Sequence, residues 1–281
     1  MAGGLSAFLG YRLVKPPRRW FRETPPAAKA AEDVTFPSRD GTALRGWFLR
    51  SEGSPDTLVL CHGWQMSRVE TLDLAHDLQQ RGYNVFLFDF RACGQSDGRY
   101  TTVGLMEVGD LLGAVEHLEA RPEVRSGHLG VLGFSMGAAV ALMVAAQCRR
   151  LQAVVADSSF ASLEWVIDQA RWGLRLVPQV LFKSISIRVG QRLAGVRPSD
   201  VRPVDAVGQI APRPVLFIHG LRDCLVSHRQ SQHLYSAASG PKELWLVEES
   251  GHCMARFARP AEYLDRVDHF FRSAFAGADA G

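Results

Sequence analysis

The sequence predicts an α/β domain: a mainly parallel sheet with helices on both faces and a helical insertion lying over the strand ends. Three observations carry this prediction. Short apolar runs alternate with helical segments over most of the chain, several of those runs are apolar along nearly their whole length, and one stretch breaks the rhythm because it is too long for a single crossover helix. Strands that are apolar throughout must be covered on both faces, which parallel strands joined by helices achieve.

Taken in order, the chain opens with a basic, Pro-rich arm (residues 1–33) holding Pro16, Pro17, Pro25 and Pro26. The segment VTFPSRDGTALRGWFLR then reads as two strands around Asp40-Gly41, a short hairpin signal. The alternating units follow: TLVLCHG (57–63), a helix near 67–81, NVFLFDF (84–90), a helix near 105–120, HLGVLGF (128–134), a helix from Ser135, and QAVVAD (152–157). The pattern resumes with PVLFIHG (214–220), a helix near 228–237, KELWLVE (242–248) and a last helix near 260–275. Between them, about residues 158–212, LEWVIDQARWGLRLV and QVLFKSISIRVGQRLAG are two basic, apolar helical patterns, read as a cap insertion. The main domain is therefore expected over 34–275, with 276–281 a frayed Ala/Gly tail.

Composition narrows the function classes. With 281 residues, 47% of them hydrophobic and 22% charged, the chain has the balance of a globular protein that folds in water. The net charge of +3 is uneven: six cations against Glu23 give residues 1–30 a charge of +5, and a second basic stretch runs from Arg171 to Arg202. No pattern that reads RNA or DNA accompanies these charges, so no nucleic-acid partner is expected. Five widely spaced cysteines without a CxxC pair suggest neither a zinc site nor a disulfide framework, and a reducing, cytoplasmic location is the simpler expectation. The apolar run Ala2–Val14 is interrupted by Arg12, too short to span a bilayer, and has its cations on the wrong side for a signal peptide. Because arm and insertion are both basic and partly apolar, weak contact with an anionic membrane surface is a further expectation, beside a simply solvated arm.

The chemistry centres on VLGFSMGAAVAL (131–142). Gly133 and Gly137 flank Ser135 at the junction of strand and helix, where a tight turn exposes the hydroxyl and side chains at the flanking positions would collide with the strand and helix. A plain helix-capping serine is the bland alternative. A nucleophilic serine needs a base and the base an acid. His252, in EESGHCMARF, lies directly after the last strand, and Asp223, in IHGLRDCLV, after the preceding one. The chain order Ser135, Asp223, His252 is nucleophile, acid, histidine. Taken singly, a solvated loop histidine and a helix-capping aspartate remain open, and Asp157 is the second candidate for the acid. For the oxyanion, the Met136 N–H at the start of a helix and the Trp64 N–H after the Gly63 turn are the candidate donors. His62 and His219, each before a glycine, read as turn-stabilising, and the loop DFRACGQSDG as structural.

In LCHGW, FDFRACGQSDG, GFSMG, VVADSSF, PVLFIHGLRDCLV and SGHC the chain resembles the α/β-hydrolase superfamily, in particular the branch of prolyl-oligopeptidase-like serine hydrolases and small bacterial esterases. The likeness covers about residues 34–275, and its six motifs occur in the family's order. It implies an eight-stranded sheet, serine-hydrolase chemistry, and no cofactor or metal. It does not imply a substrate. The function expected is hydrolysis of carboxylic esters or thioesters of a small-molecule or acyl substrate. A small peptidase or amidase is the alternative, and a non-catalytic binding protein a second one. Trp165 and Trp172, seven apart on one helical face, either line an acyl pocket or pack in the core.

Overall fold

The computed structural model describes residues 2–18, 25, 28–169 and 179–279. Eight strands, β1 (Glu32–Pro37), β2 (Ala43–Leu49), β3 (Thr57–Cys61), β4 (Asn84–Asp89), β5 (Leu129–Phe134), β6 (Ala153–Asp157), β7 (Val215–Gly220) and β8 (Lys242–Val247), form one sheet in the order β1-β2-β4-β3-β5-β6-β7-β8. The hairpin turns where expected: Gly41 adopts φ +86°, its N–H donates to Ser38 O (2.9 Å), and the Asp40 carboxylate accepts from Thr42 N (3.1 Å). Because β2 is antiparallel to both β1 and β4, it alone runs against the other strands, whose remaining pairings are parallel.

The helices are α1 (Ala2–Val14), α2 (Leu72–Gln80), α3 (Glu107–Glu119), α4 (Pro122–Arg125), α5 (Met136–Gln147), α6 (Leu163–Gln169), α7 (Gln179–Ala194), α8 (Pro203–Ala206), α9 (Arg229–Ala237), α10 (Ala255–Ala258) and α11 (Pro260–Asp279). Alternate residues of each central strand point to opposite faces. Val59, Val131, Val154 and Phe217 join Leu111, Val115 and the alanine-rich α5 in one core, while Leu58, Leu60, Leu132 and Ile218 meet Leu74, Leu78, Val267 and Phe271 of α2 and α11 in the other. Two cores explain why these strands read as unbroken apolar runs. Among the described residues no helix is long and apolar enough to cross a membrane.

Two segments differ from the sequence reading. Residues 2–14 of the arm form a helix docked on α7: the Ser186 hydroxyl donates to Ser6 O (3.0 Å), and a Cβ on Gly10 would lie 2.5 Å from Ser186 O. Glycine at position 10 is what lets the two backbones approach so closely. At the other end α11 runs to Asp279 rather than fraying after Phe275, because Phe275 stacks on His128 (5.0 Å) and Asp279 meets the same ring (3.0 Å).

Strand order places the site. From β3 the chain moves outward to β4 and then returns to the other side of β3 as β5, so a crevice opens at the carboxyl ends of β3 and β5. The turn after β3 carries Gly63 and Trp64, and the turn after β5 carries Ser135.

Candidate active site

Ser135 sits in a conformation that L-residues seldom adopt, φ +53° and ψ −113°, held by its N–H donating to Asp157 O (2.8 Å) and its C=O accepting from Ala139 N (3.0 Å). Such backbone costs on the order of 1–3 kcal/mol and persists only where the surroundings enforce it. The flanking glycines are part of that enforcement. A Cβ on Gly133 would lie 2.4 Å from the Gly137 carbonyl, and one on Gly137 would lie 2.4 Å from Cys61 O and 2.6 Å from His62 O. The serine side chain does not cap α5, which sets aside the bland alternative.

Instead the hydroxyl meets His252. Ser135 Oγ lies 2.9 Å from His252 Nε2, and His252 Nδ1 lies 2.6 Å from Asp223 Oδ2. Since the carboxylate can only accept, Nδ1 carries the ring proton and Nε2 accepts from the serine. The three residues come from the ends of β5, β7 and β8, at sequence separations of 117 and 29 residues. The loop bearing His252 is drawn onto β7 because Gly220 has no side chain: a Cβ there would lie 2.2 Å from Ser250 O. Arg222 N also donates to Ser250 O (2.9 Å).

Asp223 is buried and heavily bonded. Its Oδ1 accepts from Leu225 N (2.9 Å) and Val226 N (2.8 Å), and its Oδ2 is shared by His252 and by His219 Nε2 (3.1 Å). Burial alone would raise this carboxyl, yet the bonds from His219, His252 and the backbone hold it well below the usual carboxylate range. His219 is wholly buried, takes the Ser231 hydroxyl on Nδ1 (2.6 Å), and directs Nε2–H at Val226 O (2.9 Å) and Asp223. The sequence reading made it a turn residue and missed its contact with the acid. The signal available was its place four residues before Asp223 on the same strand-to-loop turn.

Asp157 is not joined to His252 by a hydrogen bond. Its oxygens accept from the Ser158 hydroxyl (2.8 Å) and the Tyr263 hydroxyl (3.1 Å), and burial pushes its carboxyl upward. Ser158 Oγ in turn accepts from Cys253 N (3.0 Å), beside His252, where Cys253 itself has φ +55°. Asp157 thus acts on the histidine loop through Ser158 rather than on the ring.

The turn after β3 lies against the serine: a Cβ on Gly63 would be 3.5 Å from both Phe134 O and Ser135 Cβ. His62 braces this turn from within, its Nδ1 on Gly63 O (2.7 Å) and its Nε2 accepting from Phe90 N (3.0 Å), a pairing only the neutral ring provides. Burial depresses its pKa accordingly. Trp64 is held from outside, its indole N–H donating to Leu13 O at the end of α1 (3.1 Å). The Met136 amide opens α5 directly after Ser135, and the Trp64 amide follows the Gly63 turn that lies against the serine. The DFRACGQSDG loop is held by buried ion pairs: Asp89 pairs with Arg68, and Arg91 with Asp110 (2.6 Å). Trp165 packs on the core and meets His233 edge-on (5.9 Å), while Trp172 lies outside the described residues. Among the described residues no group of three or more His, Cys, Asp or Glu side chains is arranged to hold a metal.

An eight-stranded sheet with a strained serine at its switch point defines the class: an α/β-hydrolase. The chain belongs to the family described as serine aminopeptidase, S33, whose model matches residues 54–201, just over half of its length. It is 31% identical to the uncharacterized Bacillus subtilis protein YqkD, over 84% of this chain and 77% of that one. It is 30% identical to the uncharacterized Escherichia coli protein YfhR, over 87% and 82% of the two chains. Among solved structures it resembles the Pyrococcus furiosus esterase Pf2001, at 31% identity and a TM-score of 0.79, covering 94% of this chain and 98% of the other. The protein is a hydrolase by fold and by family.

Proposed function

We propose that this hydrolase cleaves carboxylic esters or thioesters through an acyl-enzyme on Ser135. One observation carries the reading: the unbroken hydrogen-bond chain from Ser135 Oγ through His252 to Asp223, set on the strained turn after β5. The esterase activity in the name of the Pyrococcus furiosus protein supports the same reading.

In the proposed sequence, Ser135 Oγ attacks the acyl carbon while His252 Nε2 takes its proton. Asp223 holds the ring in the Nδ1–H tautomer and stabilises the imidazolium, helped by His219. The negative charge on the carbonyl oxygen is met by the Trp64 and Met136 N–H groups, the latter at the positive end of α5. His252 then gives its proton to the leaving alcohol or thiol as the bond to it breaks. A water, deprotonated by His252, attacks the acyl-enzyme, and the proton returns to Ser135 as the acid departs. The insertion between β6 and β7 is read as the cap, and the five cysteines, all free thiols, suit the reducing cytoplasm.

The family description favours a second reading, cleavage of an amide by the same residues. Hydrolysis of p-nitrophenyl esters of increasing acyl length, beside aminoacyl anilides and a Ser135→Ala control, separates them. Ester turnover that vanishes in Ser135→Ala supports the first reading, and anilide turnover without ester turnover the second. Absence of activity on both would leave a binding protein, and turnover that persists in Ser135→Ala would overturn the role given to the serine.

A further inference from the structure

Four cations converge where α1 meets the loop that follows β4. A cleft of about 510 Å³ there is lined by Tyr11, Arg12, Lys15, Arg18 and Arg99, and no carboxylate is among the described residues that line it. Several arginines elsewhere in the fold are paired with carboxylates, as in Arg39–Glu116, Arg121–Glu32 and Arg259–Glu249. Arg12, Lys15 and Arg99 have no carboxylate partner among the described residues. Each lies over a ring instead: Phe8 at 5.9 Å, Tyr11 at 5.8 Å and Tyr100 at 5.1 Å from the centroid. A ring under the cation keeps its position and leaves its N–H donors unspent.

The walls are also fixed before any ligand arrives. Arg18 donates to Ser96 O (2.7 Å) and to Gly98 O, and Thr101 N donates to Val14 O (2.8 Å), so the helix end and the loop hold one another. Like charges gathered in one cleft repel, and an anion with several oxygens relieves that repulsion while matching the guanidinium forks. Phe8, 56% exposed, precedes Arg12 and Lys15 at helical spacing, which puts an apolar tip on the cationic face.

We propose that this cleft binds a phosphate group, presented by the headgroup of an anionic phospholipid, with Phe8 entering the membrane interface beside it. The cleft adjoins the candidate active site, because Leu13, between two of its cations, accepts the Trp64 indole N–H. Docking there brings the serine turn to the surface from which an acyl substrate would come.

Co-sedimentation with phosphatidylcholine vesicles, with and without phosphatidylglycerol, tests the lipid source, and calorimetric titration with inorganic phosphate tests a soluble one. Wild type is expected on the phosphatidylglycerol vesicles and released by salt. Each cation removed near an anionic leaflet weakens attachment about five-fold, so Arg12→Gln/Lys15→Gln/Arg99→Gln should lower partitioning roughly 100-fold. Arg125→Gln/Arg149→Gln, which removes two exposed cations outside the cleft, should change it little. Circular dichroism confirms that both variants fold. Binding of inorganic phosphate alone, lost in the triple variant, upholds the phosphate site and overturns the headgroup as its source. Failure of wild type to bind either probe, or equal loss in the two variants, overturns the proposal.

Discussion

Replacing Gly137 by alanine sets two opposing effects against each other, and the structure says which prevails. In the first turn of a helix, alanine is favoured over glycine by up to about 1 kcal/mol. Against that, the new Cβ would lie 2.4 Å from Cys61 O and 2.6 Å from His62 O, where ordinary contact begins at 3.4 Å. Both oxygens belong to the backbone, so no side-chain rotation relieves the clash, and β3 must part from α5 by about 1 Å, the difference between 2.4 and 3.4 Å. Overpacking of this kind costs on the order of 1–3 kcal/mol, so a net loss of about 1–2 kcal/mol is expected. The same displacement moves the Met136 amide relative to Trp64, and a shift of about 1 Å at reacting groups can cost roughly 100-fold in rate. Urea titration followed by circular dichroism measures the first quantity and kcat/KM on a soluble ester the second. Gly277 supplies the contrast, since it is also helical, has open space around it, and should gain up to about 1 kcal/mol as alanine. Wild-type stability and rate in Gly137→Ala would refute the claim that close approach of α5 to β3 builds the serine turn.

Three further outcomes follow from the same geometry. Asp223→Asn should lower kcat by about 10⁴-fold in ester assays, because the amide cannot hold His252 as the carboxylate does and Asp157 is committed to Ser158 and Tyr263. His219→Leu leaves the Ser231 hydroxyl only its long contact with Ser159 O (3.5 Å), removes the ring donor from the Val226 carbonyl and takes one donor from Asp223, so chemical denaturation should show a loss of about 1–3 kcal/mol. His117 has a buried Nε2 without a hydrogen-bond partner and a pKa lowered by burial. Its folded form takes up a proton less readily than the unfolded chain, so it costs stability as pH falls below about 6.5. His117→Leu should therefore be neutral or stabilising at pH 8 and lose less than wild type between pH 7 and pH 5 in thermal melts.

Much of the fold is legible because period and punctuation agree. NVFLFDF and HLGVLGF are apolar at every other position on both faces, and only a sheet covered on both sides accepts that. The three residues joined to one another are legible as strand-end residues, since carboxyl ends of parallel strands converge. What escapes the sequence depends on contacts between distant segments. The docking of α1 on α7 rests on Gly10 meeting Ser186, 176 residues away, and nothing near position 10 announces it. The part His219 plays at Asp223 depends on which rotamer the packed core allows, and so does the packing of Trp165 against the core and His233.

Identification of the residue that a fluorophosphonate modifies is the most direct test. The protein is incubated with the probe, its intact mass is recorded, and the adduct is mapped by peptide mass spectrometry, with Ser135→Ala and His252→Ala beside wild type. The account predicts one adduct, on Ser135, absent in Ser135→Ala and formed much more slowly in His252→Ala. Ester hydrolysis that persists in Ser135→Ala, or an adduct on another residue, would contradict it.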